Sequence, residues 1–186
     1  MRDLTDIGLE TKFSGPDTQP VLSDAFCVEG YASLFGQTDR GGDIVESGAY
    51  AASLAAVTSK GGRIKMLWQH DPTQPIGVWE EVREDDRGLF VKGRLLPDVA
   101  LAREAAALLD AGAIDGLSIG YRTVRATKDT SGNRRLTELE LWEVSLVTFP
   151  MLPEARVGAK GDDADQSLMR DLASAIDTAR RDFAQG

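Results

Sequence analysis

The 186-residue sequence contains one cysteine, Cys27, and one histidine, His70. A lone cysteine excludes an internal disulfide framework, and with a single histidine no Cys/His zinc site can be assembled. Cys27 is expected to be a small buried hydrophobe within a strand. No run of about 18 apolar residues is available to span a bilayer. The opening Met1-Arg2-Asp3-Leu4-Thr5-Asp6 lacks the basic-then-apolar layout of a secretion signal, so a cytosolic protein is expected. Cationic excess is lacking as well: 21 Lys and Arg stand against 30 Asp and Glu, a net charge of -9. That balance argues against a nucleic-acid-binding surface and for protein partners. There is no internal repeat and no Gly-rich phosphate loop, which leaves nucleotide chemistry without support. What is present, 42% hydrophobic residues, suffices for one ordinary core.

The chain divides into an N-terminal arm, 1–24, a main domain, 25–157, a polar linker, 158–167, and a C-terminal amphipathic helix, 168–186. The arm carries one weak strand, 8–13. Residues 25–35 read as a strand, Asp39-Arg40-Gly41-Gly42-Asp43 as a turn, and 50–57 as a short helix. In 63–70 the alternation places Ile64, Met66, Trp68 and His70 on one strand face, with Pro72 and Pro75 ending the run. Two strands between 76 and 96 flank Glu84-Asp85-Asp86-Arg87-Gly88, a hairpin loop by composition. Asp98 is placed to cap a helix with Leu101, Ala105, Leu108 and Leu109 along one side and Gly112 as its terminator. Strands 117–126 and 136–148 follow, joined through Asp129-Thr130-Ser131-Gly132-Asn133, the second reading as central. In the tail, Leu168, Leu172, Ile176, Ala179 and Phe183 form one apolar helical stripe that needs a surface: another chain, a second copy or its own domain.

Three side chains are candidates for chemistry. Ser118, in Asp115-Gly116-Leu117-Ser118-Ile119-Gly120-Tyr121, stands on the strand face opposite Leu117, Ile119 and Tyr121, between two glycines. A nucleophilic hydroxyl needs such clearance for the scissile carbonyl; the alternative is an outward serine on a closely packed strand. Histidine is the side chain whose ordinary pKa suits proton transfer near neutrality, so any serine chemistry must pass through His70; otherwise it is a core histidine bonded to backbone. Glu143 sits in Leu139-Glu140-Leu141-Trp142-Glu143-Val144-Ser145-Leu146-Val147, apolar on both faces, so its carboxylate needs a buried partner. That partner is either an arginine, in a structural ion pair, or the imidazole of His70. Two other acids lie nearby: Asp71 adjoins His70 but points to the opposite face, and Glu140 shares a polar phase with Glu138.

In order and spacing, these segments resemble the prohead (procapsid maturation) protease family of tailed phages and phage-derived gene transfer agents. The resemblance spans roughly residues 25–157. It rests on Gly30-Tyr31-Ala32-Ser33-Leu34-Phe35 with Gly42-Asp43-Ile44-Val45 and Gly48-Ala49-Tyr50, on Leu67-Trp68-Gln69-His70-Asp71, on Gly116-Leu117-Ser118-Ile119-Gly120-Tyr121, and on Glu143-Val144-Ser145-Leu146-Val147-Thr148-Phe149-Pro150. It departs from the family pattern after Pro150, where Met151-Leu152-Pro153 follows. The resemblance implies an α+β fold, a compact, mostly antiparallel β-barrel flanked by a few helices, similar to the herpesvirus assemblins. It also implies a serine endopeptidase with His70, Ser118 and Glu143 as its catalytic set, and neither metal nor organic cofactor. Substrates would be the scaffold and major coat protein, and the enzyme itself, inside the assembling procapsid in the bacterial cytoplasm; a homodimer is compatible with the tail. Oxyanion donors would be backbone N–H groups, with Arg134 or Arg135 as side-chain candidates. The rival readings are a catalytically silent scaffold- or coat-interaction protein of the same fold, and a hydrolase of small esters.

Overall fold

The alternation expected of half-buried strands is plain in residues 88–95, where Leu89, Val91 and Leu95 are buried while Lys92 and Arg94 face solvent. The structure, a computed structural model, describes residues 10–11 and 26–158. The expected C-terminal helix, nearly all of the expected linker and most of the expected N-terminal arm lie outside the described residues. The elements are β1 (Glu10–Thr11), β2 (Cys27–Leu34), β3 (Asp43–Val45), α1 (Ala51–Ser59), β4 (Lys65–Trp68), β5 (Asp71–Glu84), β6 (Gly88–Leu95), α2 (Ala100–Asp110), β7 (Gly116–Lys128) and β8 (Arg134–Val147). Cys27 is in a strand as expected, but it opens β2 and is half-buried rather than buried.

The strands form one sheet in the order β1-β7-β8-β4-β5-β6-β2, with β3 added alongside β8. Pairings are antiparallel except those of β3 and β4 with β8. As expected, β8 is central, and its last five residues are all buried. The two hairpin loops are built by aspartates. Asp85 Oδ1 accepts the N–H groups of Arg87 and Gly88 at 2.9 and 3.1 Å, and Asp129 Oδ1 accepts those of Ser131 and Asn133 at 2.8 and 2.9 Å.

β2, the last strand of the sheet, and β7, which β1 covers only at Gly120 and Tyr121, are joined by residues 155–158. Leu117 N–H donates to the Ala155 carbonyl (3.1 Å), Val157 N–H to that of Asp115 (3.0 Å) and Gly158 N–H to that of Glu29 (2.6 Å). This seam turns the curled sheet into the α+β barrel expected from the sequence. It requires a glycine at position 30, because a Cβ there would lie 2.0 Å from the Arg156 carbonyl oxygen. Arg156 and Asp115 pair across the seam. α1 lies over β8, where Ala49 O and Ser53 Oγ accept the N–H groups of Leu139 and Leu141, each at 2.9 Å.

Several local expectations are corrected. Pro72 and Pro75 do not end a strand but lie at the start of β5, where the β4–β5 ladder shifts register twice and ring nitrogens without a proton are tolerated. Leu67 is buried like Met66, so β4 shows no clean alternation. Val99, not Asp98, is the extended N-cap of α2, and no side chain caps it. The helix buries Ala102, Ala105, Ala106 and Leu109 and leaves Leu108 exposed. Ala105 and Leu109 of the expected stripe are buried and Leu101 packs against the core, while Ala102 and Ala106 complete the buried face in place of Leu108. Gly112 does end the helix, at φ 66°, with Gly112 and Ala113 N–H groups bonded to the Leu109 and Leu108 carbonyls.

Candidate active site

β4 runs parallel to β8 with Leu67 beside Ser145 and Trp68 beside Leu146. Beyond Trp68 the chain does not extend the strand. Gln69 and His70 take φ of 51° and 61°, a left-handed region that costs a side-chain-bearing residue about 1–2 kcal/mol. His70 therefore does not close an apolar strand row; a tight reversal turns it back over β8. The reversal is held by Gln69 N–H donating to the Leu146 carbonyl (2.9 Å). The Gln69 amide donates to Thr148 Oγ1 at 2.7 Å and accepts from Thr148 N–H at 3.3 Å. His70 N–H donates to Ser145 Oγ at 3.2 Å.

The imidazole lies between the other two candidates. His70 Nδ1 is 2.6 Å from Glu143 Oε1, and Nε2 is 2.8 Å from Ser118 Oγ. Of the two partners sequence reasoning offers Glu143, the structure places the imidazole. A carboxylate has no proton to give, so the proton of the first contact sits on Nδ1, and in the neutral ring Nε2 is then the acceptor for the Ser118 hydroxyl. Glu143 Oε2 accepts the Ser145 hydroxyl at 2.6 Å. His70, Ser118, Glu143 and Ser145 are all buried, the most exposed at 4%, so these contacts act where water does not weaken them. Such an arrangement can take a proton from serine on one side while a buried anion steadies the imidazolium on the other.

Ser118 is on β7 directly across from Ser145 on β8. Its strand face is not a solvent face, since β7 is buried from Gly116 to Tyr121. The flanking glycines have uses other than clearance for a substrate. A Cβ on Gly120 would lie 2.0 Å from Glu143 Oε1, and one on Gly116 would meet Pro150 Cγ at 2.4 Å. Gly120 therefore admits the carboxylate that reaches His70.

The remaining candidates lie elsewhere. Glu140 accepts from Arg122 at 2.8 Å on an exposed part of the sheet, and Asp71 accepts from the Thr73 N–H and hydroxyl at 2.8 and 2.6 Å. Arg134 and Arg135 open β8, the end opposite Ser145, where they pair with Asp43 and Glu46 at 2.6 Å each; they are not placed to bind an oxyanion at Ser118. Sequence reasoning missed Ser145. The available signal was a serine two positions after Glu143, and thus on its side, in a strand otherwise apolar on both faces. Among the described residues no group of three or more His, Cys, Asp or Glu is arranged to hold a metal ion, and no helix is long and apolar enough to cross a membrane.

Residues 16–170 match the sequence family described as caudovirus prohead serine protease. The prohead protease of Enterobacteria phage HK97 is 33% identical over 166 residues, which cover 88% of this chain and 70% of that protein. The bacteriophage T4 capsid assembly protease, gp21, has a similar solved structure, with a TM-score of 0.54 at 14% identity over 82% of this chain and 96% of that one; this likeness is one of fold. A family match across most of the sequence, on a barrel that carries a serine and a histidine in contact, places the chain among the caudovirus prohead serine proteases.

Proposed function

We propose that the chain is a capsid-maturation serine endopeptidase in which Ser118 is the nucleophile, His70 the general base and Glu143 the acid that orients the ring. The observation that carries this reading is the unbroken hydrogen-bonded line Glu143–His70–Ser118, at 2.6 and 2.8 Å, in a member of a prohead serine protease family. Nε2 takes the Ser118 proton as Oγ attacks the peptide carbonyl, and Glu143 stabilises the imidazolium that forms. The ring then gives the proton to the leaving amine, and a water activated by the same nitrogen releases the acyl group from Ser118. Backbone N–H groups supply the oxyanion site.

The substrates are the scaffold and major coat protein of a phage or phage-like particle, and the protease itself, cut within the assembling procapsid in the host cytoplasm. The protease domain is 25–157, and the 168–186 segment recruits the enzyme by docking on shell proteins or on a second copy. Incubation with the coat or scaffold partner, read by mass spectrometry, tests the reading. Specific cuts are expected with the wild type and none with Ser118→Ala or His70→Ala. Either variant retaining more than about a tenth of the rate, where losing a triad member costs several orders of magnitude, defeats the assignment. Hydrolysis of small esters without peptide cleavage would favour the esterase reading.

A further inference from the structure

Ser145 is fully buried, where an alanine would fill the space without a polar atom that needs partners. Instead its hydroxyl is satisfied on both sides. It donates to Glu143 Oε2 at 2.6 Å and accepts the backbone N–H of His70 at 3.2 Å. Its place in the sheet is central to the site, with Ser118 across from it on β7 and Leu67 beside it on β4. A single oxygen thus ties the main chain of the base to the side chain of the acid, closing a ring through Nδ1 and Oε1.

We infer that Ser145 is a positioning residue for this reaction: it fixes the rotation of the Glu143 carboxylate and anchors the left-handed His70 so that Nε2 faces Ser118. The inference rests on the catalytic reading of Ser118, His70 and Glu143. The chemistry gives each bond a task. With Oε2 engaged by Ser145, the carboxylate cannot swivel, and Oε1 stays on Nδ1. With His70 N–H accepted by Ser145 Oγ, a buried donor in a strained turn has its partner. Removing the hydroxyl frees the carboxylate and leaves that N–H unsatisfied, so the ring is displaced from its line to the serine. Substrate is not touched by this residue, so its binding is unaffected.

The test compares Ser145→Ala with the isosteric pair Ser145→Thr and Ser145→Val, each checked for folding by circular dichroism. Thr and Val impose the same extra volume, so the difference between them reads the hydroxyl alone. For Ser145→Ala, kcat on a short peptide is expected to fall about 10- to 100-fold with KM within about twofold, the scale of a 1 Å misplacement. Ser145→Thr should exceed Ser145→Val by at least about tenfold in kcat, the loss that one misplaced contact predicts. A second readout is the Nδ1 proton seen by low-field NMR, unambiguous because His70 is the only histidine. That resonance should persist in Ser118→Ala and be shifted or broadened in Ser145→Ala and Ser145→Val. Equal kcat for the Thr and Val variants, or a wild-type resonance in Ser145→Val, overturns the inference while the catalytic set stands. Full activity of Ser118→Ala or Glu143→Gln would instead overturn the reading beneath it.

Discussion

Gly120→Ala should inactivate the enzyme without altering any residue that handles a proton. The added Cβ would stand 2.0 Å from Glu143 Oε1, 2.7 Å from its carboxyl carbon and 2.8 Å from Cγ, whereas ordinary contact begins at 3.4 Å. The carboxylate must therefore retreat by more than about 1 Å, and its bond to Nδ1, 2.6 Å long, passes beyond hydrogen-bonding reach. A displacement of that size costs about 100-fold in rate, close to 2.7 kcal/mol of barrier, rising towards 10,000-fold if the ring loses its tautomer. Overpacking costs about 1–3 kcal/mol of stability, which leaves a folded protein. Initial rates on a fluorogenic peptide, taken beside a thermal melt of the same preparation, check both numbers. A folded Gly120→Ala enzyme within about threefold of the wild-type rate would refute the claim that this glycine exists to admit the acid.

Glu143→Gln should slow cleavage less than loss of Ser118 but more than Glu140→Gln or Asp71→Asn, whose carboxylates serve Arg122 and Thr73; the order of initial rates is the check, and Asp71→Asn as the most damaging reverses it. Asp85 governs acid stability. Burial works against its charge, but the Tyr31 hydroxyl, the Arg87 N–H, the Arg83 guanidinium and the Gly88 N–H hold its carboxyl down at about 2. A depressed folded-state pKa means stability that is present above the unfolded value and lost on acidification. Asp85→Ala should therefore melt lower than wild type at neutral pH, with the gap closing as pH falls from about 4, the ordinary carboxyl value, towards 2. Removing residues 164–186 should leave short-peptide cleavage within about twofold, as expected of a segment joined by a polar linker, while lowering incorporation into procapsids. Loss of peptide cleavage by the folded truncation would assign the segment to the catalytic domain instead.

Legibility in the sequence followed how local the cause was. The hairpins were readable because Asp85 and Asp129 act within their own loops, and β6 because a single alternation governs it. Ser118, His70 and Glu143 were each legible as chemistry, helped by there being one histidine. Their contact was legible only through the family resemblance, because it depends on β4 running parallel to β8 and on the reversal at Gln69 and His70. No local rule predicts that turn, since both residues pay a backbone penalty that only hydrogen bonds to Leu146, Ser145 and Thr148 from a distant strand make tolerable. Between the two uses open for Gly120, substrate clearance and close packing, the sequence could not decide for the same reason: the atom it packs against belongs to a side chain 23 positions along the chain, across the β7–β8 ladder. On α2 the expected face held at Ala105 and Leu109 and failed at Leu108, because Ala102 and Ala106 take the rest of the buried face by their smallness, a property that hydrophobic periodicity weighs lightly.

The seam at residues 155–158 makes the barrel unequal in strength around its circumference. β7 is held to β8 along nearly its whole length, but to the seam only around Asp115 to Leu117. Opening starts where the fewest bonds must break together, so the amides of Leu117, Val157 and Gly158 should exchange with deuterium well before those buried between β7 and β8. Leu117 is the residue next to Ser118, and Gly158 is where the polar tail departs. Strain at Gly158 would reach Glu29 on β2 first and, through Val157, Asp115 just before β7, while the opposite edge of β7, with Glu143 and Ser145 beyond it, stays zipped. The strand that carries Ser118 is therefore expected to open as a door hung on β8 and latched by residues 155–157.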